Sequence, residues 1–474
     1  MLAATVCVAR MLGKNSYGEL GMIQSTVGML SIFAGFGLGL TATKYVAEFR
    51  VKDPHRVGRV IGLSGLFAAA TGGAMAVCLI VFAPSLAERA INAPYLADSL
   101  RIGSVILFVG AVNGAQTGAL SGLEAFKTVA LVNLLVGLIS FPVILVGTYF
   151  GGLSGTLWAL AINLGFNWLL NHLALRKEAQ RHAVPLTFTD CWQEWPILWN
   201  FSIPAVLSGI LVGPVTWACN ALLVNRPDGY AEMGVYSAAL RIKDIPSMVL
   251  SMLMTPILPV LSDLYGRRAT ANYNRTLSYA FSMSLAVMIP VSLVQMAAPS
   301  LTLMPFGEDF SGHHAVVQWL MLQAMCLGLF TPMGHVLASM NRMWFGLAYN
   351  SVWAAVYLLL AWLLVPRHGA SGLAAALATA HLATSLPCAA YIYVYERPFI
   401  ANTPLARHSI EVGILLMMAL LAYHFTRPLL AGTMCAALAG LYLVHVLRRT
   451  WAGNQRPARS GSCDQRQSEG SVAK

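Results

Sequence analysis

The stretch at 234–261, GVYSAALRIKDIPSMVLSMLMTPILPVL, carries three charged side chains within a run that is otherwise apolar enough to be a membrane helix. They are Arg241, Lys243 and Asp244. A cation at the middle of a membrane helix costs about 2.5–3.5 kcal/mol, so it must face water, a partner or a ligand. Because Arg and Lys form charge-assisted hydrogen bonds with phosphate oxygens, Arg241 and Lys243 are candidates to bind a phosphate-bearing anion.

A purely structural explanation for the same residues is an internal ion pair. Arg241 and Asp244 are i,i+3 neighbours and could pair along one face of the helix. Lys243 would then stay uncompensated, since Asp244 is the only carboxylate deep in any predicted span. Under the ligand hypothesis, Asp244 orients the two cations or weakens their binding enough for the anion to leave.

Two further cations, Arg10 and Lys44, lie at the ends of apolar segments. Long cationic side chains at such positions can reach the lipid headgroups while their stems stay in apolar surroundings. They could equally line the same cavity as Arg241, and the residues alone leave both alternatives open.

The composition predicts an all-α integral membrane protein. Of the 474 residues 57% are hydrophobic and only 10% are charged, whereas soluble globular chains carry roughly 25% charged residues. The net charge of +11 fits basic cytoplasmic loops better than nucleic-acid binding. The eight cysteines are scattered singly and the chain has one adjacent His pair, so we expect no metal site and no cofactor.

Apolar segments long enough to cross a bilayer occur thirteen times. A helical crossing needs about 20 residues, and the segments are 20–42, 58–83, 101–122, 128–150, 152–174, 197–224, 231–262, 277–299, 313–340, 344–365, 370–394, 407–425 and 428–447. The opening MLAATVCVA is too short to span, and we interpret it as the end of a first helix whose start is missing. The expected total is about 14 transmembrane helices with a truncated first one.

The distribution of basic residues predicts which side faces the cytoplasm. With the partial helix counted as the first, Lys and Arg are roughly three times as frequent in the even-numbered connections and the tail as in the odd-numbered ones. The positive-inside rule therefore assigns the even connections and the C-terminus to the cytoplasm.

Two pairs of segments indicate an internal duplication. NSYGELGM at 15–22 resembles DGYAEMGV at 228–235, an offset of 213, and GLSGTLWALAI at 152–162 resembles GASGLAAALAT at 369–379, an offset of 217. Six helices per copy would give the copies the same orientation, an arrangement found in transporters with a site between the halves. The predicted units are a helix bundle at 1–180, a second bundle at 195–397, two additional helices at 405–447 and a disordered tail at 448–474.

The segment ARMLGKNSYGELGMIQSTVGMLSIFAGFGLGLTATKYVAEFR, residues 9–50, resembles the polysaccharide-export branch of the multidrug, oligosaccharidyl-lipid and polysaccharide flippase superfamily, and the O-antigen and teichoic-acid flippases within it. The resemblance implies two six-helix bundles around a cationic cavity. Relatives place Arg or Lys on the first, second and eighth helices, which here carry Arg10, Lys44 and Arg241, with Lys243 beside the last.

We therefore expect a flippase that moves a polyprenyl-diphosphate-linked oligosaccharide across the bacterial cytoplasmic membrane by alternating access. Its expected partners are this substrate, membrane lipids, H⁺ or Na⁺ for coupling, and polysaccharide assembly proteins. The alternative is an ion-coupled drug or small-solute antiporter of the same fold, which a deep carboxylate in the first bundle would favour. An enzyme acting on the same glycolipids is less favoured, because the outer loops 84–100 and 300–312 are short.

Overall fold

The computed structural model describes residues 2–186, 190–202, 206–207, 210–340, 342–395, 437–438 and 440–442. Eleven α-helices of ten or more residues make up most of this described part. They are α1 (Leu2–Gly35), α2 (Leu38–Phe49), α3 (Pro54–Ser85), α4 (Ala97–Gly122), α5 (Phe126–Arg181), α6 (Val212–Val224), α7 (Gly229–Met254), α8 (Ile257–Gly266), α9 (Thr270–Ala297), α10 (His314–Ser339) and α11 (Met343–Tyr395). The prediction of an all-α membrane protein is confirmed, and eight apolar helical stretches in this part are long enough to cross a bilayer.

The two longest helices are hairpins whose arms meet at a glycine. Gly152 in α5 and Gly369 in α11 have φ values of +52° and +56°, a region that glycine enters without a Cβ clash. Each hairpin accounts for two of the predicted spans. Eleven of the thirteen predicted spans correspond to described helices, 407–425 lies outside the described residues, and only five residues of 428–447 are described.

The two hairpins also carry the predicted duplication into the backbone. Gly152 and Gly369 are 217 residues apart, and both have ψ near −132°. Next to each turn the arms approach closely: a Cβ on Gly155 would lie 2.0 Å from the Gly147 carbonyl oxygen, and one on Gly372 would lie 2.4 Å from that of Leu364. The same turn and the same close approach recur at one offset, as a duplicated unit requires. The exact unit boundaries given above stay a prediction.

Three spans predicted as continuous are broken in the structure. The span at 20–42 ends α1 at Gly35 and resumes as α2 after Phe36 and Gly37, both with positive φ. The span at 231–262 is divided into α7 and α8 at Thr255–Pro256, where proline lacks the amide hydrogen that a continuous helix would use. The span at 197–224 begins as a π-helical turn, Leu198–Ser202, before α6 starts at Val212.

Helices α1 and α7 cross in direct backbone contact and join the N-terminal half (α1–α5) to the C-terminal half (α6–α11). A Cβ on Gly18 would lie 1.8 Å from the Tyr230 carbonyl oxygen, and one on Gly234 would lie 2.0 Å from that of Lys14. Further along, Gly21 meets Ser237, so the two helices run in the same direction. Small residues at such a crossing let helix backbones approach and pack in a membrane.

The side predicted to be outer holds reciprocal contacts between the halves. Tyr230 donates to the Ile91 carbonyl oxygen at 2.9 Å, and Asn225 donates to that of Ala90 at 2.7 Å. In the other direction, Tyr17 packs its ring against Phe306 and Phe310, with centroids 6.4 and 6.0 Å away. Since Tyr17 and Tyr230 are 213 residues apart, the duplicated tyrosines make corresponding contacts on opposite halves.

On the predicted cytoplasmic side, the connection between the halves is fixed to α3. The buried Glu194 carboxylate accepts hydrogen bonds from Arg56 and Arg59 at 3.0–3.2 Å. Nearby, Arg50 pairs with Glu124 at 2.6 Å, and its hydrogen bond lowers the pKa of that exposed carboxyl group. These ion pairs hold the connection and the ends of α2–α5 together.

The backbone crossing generates a direct test. Gly18→Ala places a methyl group against the Tyr230 carbonyl oxygen and is expected to lower the free energy of unfolding by about 1–3 kcal/mol, the usual cost of overpacking. Unfolding in mixed detergent micelles measures this change. Gly28→Ala on the same helix is the matched control, because a Cβ there meets nothing within 4 Å. Equal stability of the two variants would contradict the packing described here.

Candidate functional site

Arg241 lies on α7 at the cytoplasmic end of the α1–α7 crossing. Its guanidinium donates a short hydrogen bond to the Gln24 side-chain oxygen on α1, and it interacts with the hydroxyl of Tyr17. The side chain is nevertheless exposed. Arg241 therefore bridges the two halves of the molecule while keeping part of its charged surface accessible.

Lys243 points to a different side of α7. It is only 9% exposed, whereas Arg241 and Asp244 are both exposed. Residues two apart on a helix do not face each other, and the ammonium of Lys243 lies within electrostatic range of His381 on α11. The two cations that the sequence placed together are thus divided between the accessible face of α7 and its packed face.

The internal ion pair considered for the sequence takes another form. Asp244 Oδ1 lies 3.8 Å from Lys243 Nζ, at the long end of the range for an ion pair. Among the described residues this is the salt bridge of Asp244, and Arg241 instead bonds to Gln24. The guanidinium charge is therefore balanced only by neutral oxygens.

Arg10 and Lys44 occupy the two ends of the molecule. Arg10 donates to the Pro305 carbonyl oxygen at 2.6 Å and to that of Met304 at 3.4 Å, within the outer contacts between the halves. Lys44 is exposed on α2, with its ammonium 5.0 Å from the centre of the Tyr45 ring. It follows Gln24 by roughly 30 Å of helical path at 1.5 Å per residue. The structure thus places the four cations at three levels and does not gather them into one cluster.

Other buried carboxylates do exist among the described residues, but they lie at helix ends with basic partners. Glu178 near the end of α5 pairs with Arg181 at 3.0 Å, and Glu194 is held by the two arginines of α3. The middle of the N-terminal half instead holds an amide network in which Asn171 donates to Asn113 and Asn167 at 2.7 and 2.9 Å. These neutral amides balance no charge.

The sequence analysis missed two residues beside the cations, Gln24 and His381. Both are polar side chains inside apolar spans, and polar or ionisable residues within a membrane segment signal function by default. Attention to Lys, Arg and carboxylates alone left them out. Their partners Tyr17 and Trp353 carry no comparable signal, because aromatic residues are common in such helices.

Solved structures with the same fold are membrane transporters. An inward-closed structure of the lipid II flippase MurJ matches with a TM-score of 0.70 and 14% identity over 95% of this chain and 96% of that one. An inward-facing multidrug MATE transporter of the MOP superfamily matches with a TM-score of 0.68 and 15% identity, over 84% and 94%. A MOP superfamily transporter from Pyrococcus furiosus, described as having a binding pocket of reverse polarity, gives 0.61 and 15%, over 85% and 92%.

A comparison with curated protein sequences finds no match. The model of the polysaccharide biosynthesis protein family, in contrast, matches residues 3–265. This region covers more than half of the chain and includes α1, the crossing with α7 and the Arg241 site. The matched region and the shared fold together show that the chain belongs to the polysaccharide biosynthesis protein family, with the transporter fold of the MOP superfamily.

Proposed function

We propose that the protein is a flippase that moves a polyprenyl-diphosphate-linked oligosaccharide, such as an O-antigen-like unit of a surface polysaccharide, across the bacterial cytoplasmic membrane. The observation that carries the proposal is the exposed guanidinium of Arg241, which lies inside a membrane-spanning helix without a carboxylate partner among the described residues. A cation in that position requires an anion or water. Family membership directs the choice of anion towards a lipid-linked saccharide.

The hydrogen bond between Arg241 and Gln24 suggests how substrate binding drives the transport cycle. A diphosphate oxygen is a stronger acceptor for a guanidinium than a neutral amide oxygen. A diphosphate bound at Arg241 would therefore displace Gln24 and remove one bond that joins α1 to α7. Loss of that bond favours separation of the halves on the outer side, so that the headgroup is released there while the prenyl chain stays in lipid.

Asp244 and Lys243 adjust the strength of this binding. Asp244 shares the exposed face of α7 with Arg241 and repels the diphosphate, which keeps binding weak enough for release. Lys243 acts from the packed side of the helix through its positive field. Arg10 and Lys44 contact the headgroup at the outer and cytoplasmic ends of its path, and no covalent step is involved.

A drug or small-solute antiporter of the same fold is the second candidate, since a MATE transporter is among the matching structures. Such a carrier of cations needs a carboxylate in its cavity. The described middle of the N-terminal half offers the Asn113–Asn171 network instead, which favours the anionic substrate. Membrane lipids, H⁺ or Na⁺ and polysaccharide assembly proteins are the further partners that we propose.

The first test asks whether Arg241 faces water. In a background without the eight native cysteines, Arg241→Cys and Asp244→Cys are expected to react with a charged thiosulfonate about tenfold faster than Leu138→Cys, because the reactive thiolate forms in water and not in hydrocarbon. Leu138 is the control, being 64% exposed on an apolar surface. Equal rates at the three positions would show that the Arg241 face contacts lipid.

The second test measures transport itself. In proteoliposomes with a fluorescent prenyl-diphosphate disaccharide, Arg241→Ala is expected to slow translocation roughly tenfold to hundredfold, the equivalent of a lost hydrogen bond between charged groups worth about 1.5–3 kcal/mol. Arg268→Ala, in the turn after α8, is the control and should leave the rate unchanged. An Arg241→Ala, Lys243→Ala double variant that inserts normally and transports at the wild-type rate would refute the site.

A further inference from the structure

His381 makes two hydrogen bonds with one nitrogen that cannot both exist at once. Its Nδ1 lies 3.1 Å from the indole nitrogen of Trp353, which can only donate, and 2.9 Å from the Leu377 carbonyl oxygen, which can only accept. A ring nitrogen either carries a proton or offers a lone pair. The neutral ring with a free Nδ1 lone pair therefore bonds to Trp353, and the imidazolium bonds to Leu377.

The two hydrogen bonds belong to different parts of the α11 hairpin. Trp353 lies on the first arm, whereas His381 and Leu377 lie on the second arm beyond the Gly369 turn. Protonation thus exchanges a bond between the arms for a bond within one helix. Trp353 is only 4% exposed, so its indole donor loses a buried partner when the histidine becomes charged.

The charged groups around His381 connect this exchange to the Arg241 site. Lys243 on α7 is its cationic neighbour, and the counter-charge of Lys243 is the exposed Asp244 at 3.8 Å. The other titratable groups packed near Lys243 and Trp353 are Tyr236 on α7, Tyr357 on α11 and Cys219 on α6, which interact with one another and are neutral at physiological pH. A second positive charge beside Lys243 is thus stabilised only when an additional anion is present.

We propose that His381 is a protonation site coupled to anion binding at α7, so that a bound diphosphate and a proton on His381 stabilise each other. This inference rests on the proposed function, because the anion is the diphosphate of the substrate. By linkage, protonation must strengthen diphosphate binding by the same factor by which the diphosphate favours protonation. Binding is therefore tight below the pKa of His381 and weakens as the pH rises through it. The proton also releases the Trp353 bond, which loosens the α11 hairpin in the substrate-bound state.

The experiment measures binding of a synthetic farnesyl-diphosphoryl-N-acetylglucosamine to the full-length protein in detergent. A diphosphate diester keeps its double negative charge between about pH 5.5 and 8, where an imidazole titrates, so the pH dependence comes from the protein. We expect affinity to fall about five- to tenfold over this range, a coupling in the usual span for linked sites. His381→Gln should bind with the weaker, high-pH affinity throughout. His335→Gln, a second histidine within a membrane helix, should keep the wild-type profile.

Trp353→Phe provides a readout that a purely structural role of His381 would not move. It keeps the aromatic ring but removes the donor to the neutral histidine, so protonation becomes easier and the midpoint of the binding profile should shift to higher pH. An unchanged pH profile in His381→Gln, or an unshifted midpoint in Trp353→Phe, would overturn the coupling while leaving the flippase proposal intact. Failure of the wild-type protein to bind the diester at any pH would instead overturn the proposed function.

Discussion

The contact on which the rest of the structure depends is the backbone crossing of α1 and α7 at Gly18 and Gly234. A single Cβ at either position would fall about 2 Å from a carbonyl oxygen of the other helix, far inside van der Waals distance. Without that approach, Tyr17 could not reach the ring pair of the C-terminal half, and Gln24 could not reach Arg241. The absence of two side chains thus places the principal cation of the C-terminal half against a helix of the N-terminal half.

The two halves share a backbone plan but differ in their charged interior. The outer tyrosines recur at an offset of 213, and the glycine turns of the two hairpins recur at an offset of 217. At the first of these offsets, Gly28 and Leu30 are the counterparts of Arg241 and Lys243. Duplication therefore supplies the symmetric frame and the outer closure, whereas the site depends on residues present in only one copy.

Much of the fold could be predicted because it follows from hydropathy and from local signals. The apolar segments indicated the helices, and Gly152 and Gly369 mark turns that glycine alone makes at low cost. The breaks at Gly37 and Pro256 were missed, because a hydropathy window averages over a residue that interrupts hydrogen bonding without lowering apolarity. Gly13, which bends α1 with a φ of +70°, was missed for the same reason.

The candidate site was predictable in its residues but not in its geometry. An expensive charge in a span identifies Arg241 and Lys243 without any coordinates. Their division between two faces of α7 follows from a helical period that adjacency in sequence conceals. The partners Gln24 and His381 lie more than 100 residues away in the chain, so only the folded arrangement connects them to the cations.

The outer closure has a consequence for how this surface tolerates sequence change. Asn225, Tyr230 and Arg10 all donate to main-chain oxygens, of Ala90, Ile91 and Pro305 respectively. Every amino acid supplies such an oxygen, so the receiving loops can drift freely in side-chain identity provided that their backbone path is kept. The donors have no such freedom. The closure therefore constrains one partner of each pair and leaves the other open to variation at the cell surface.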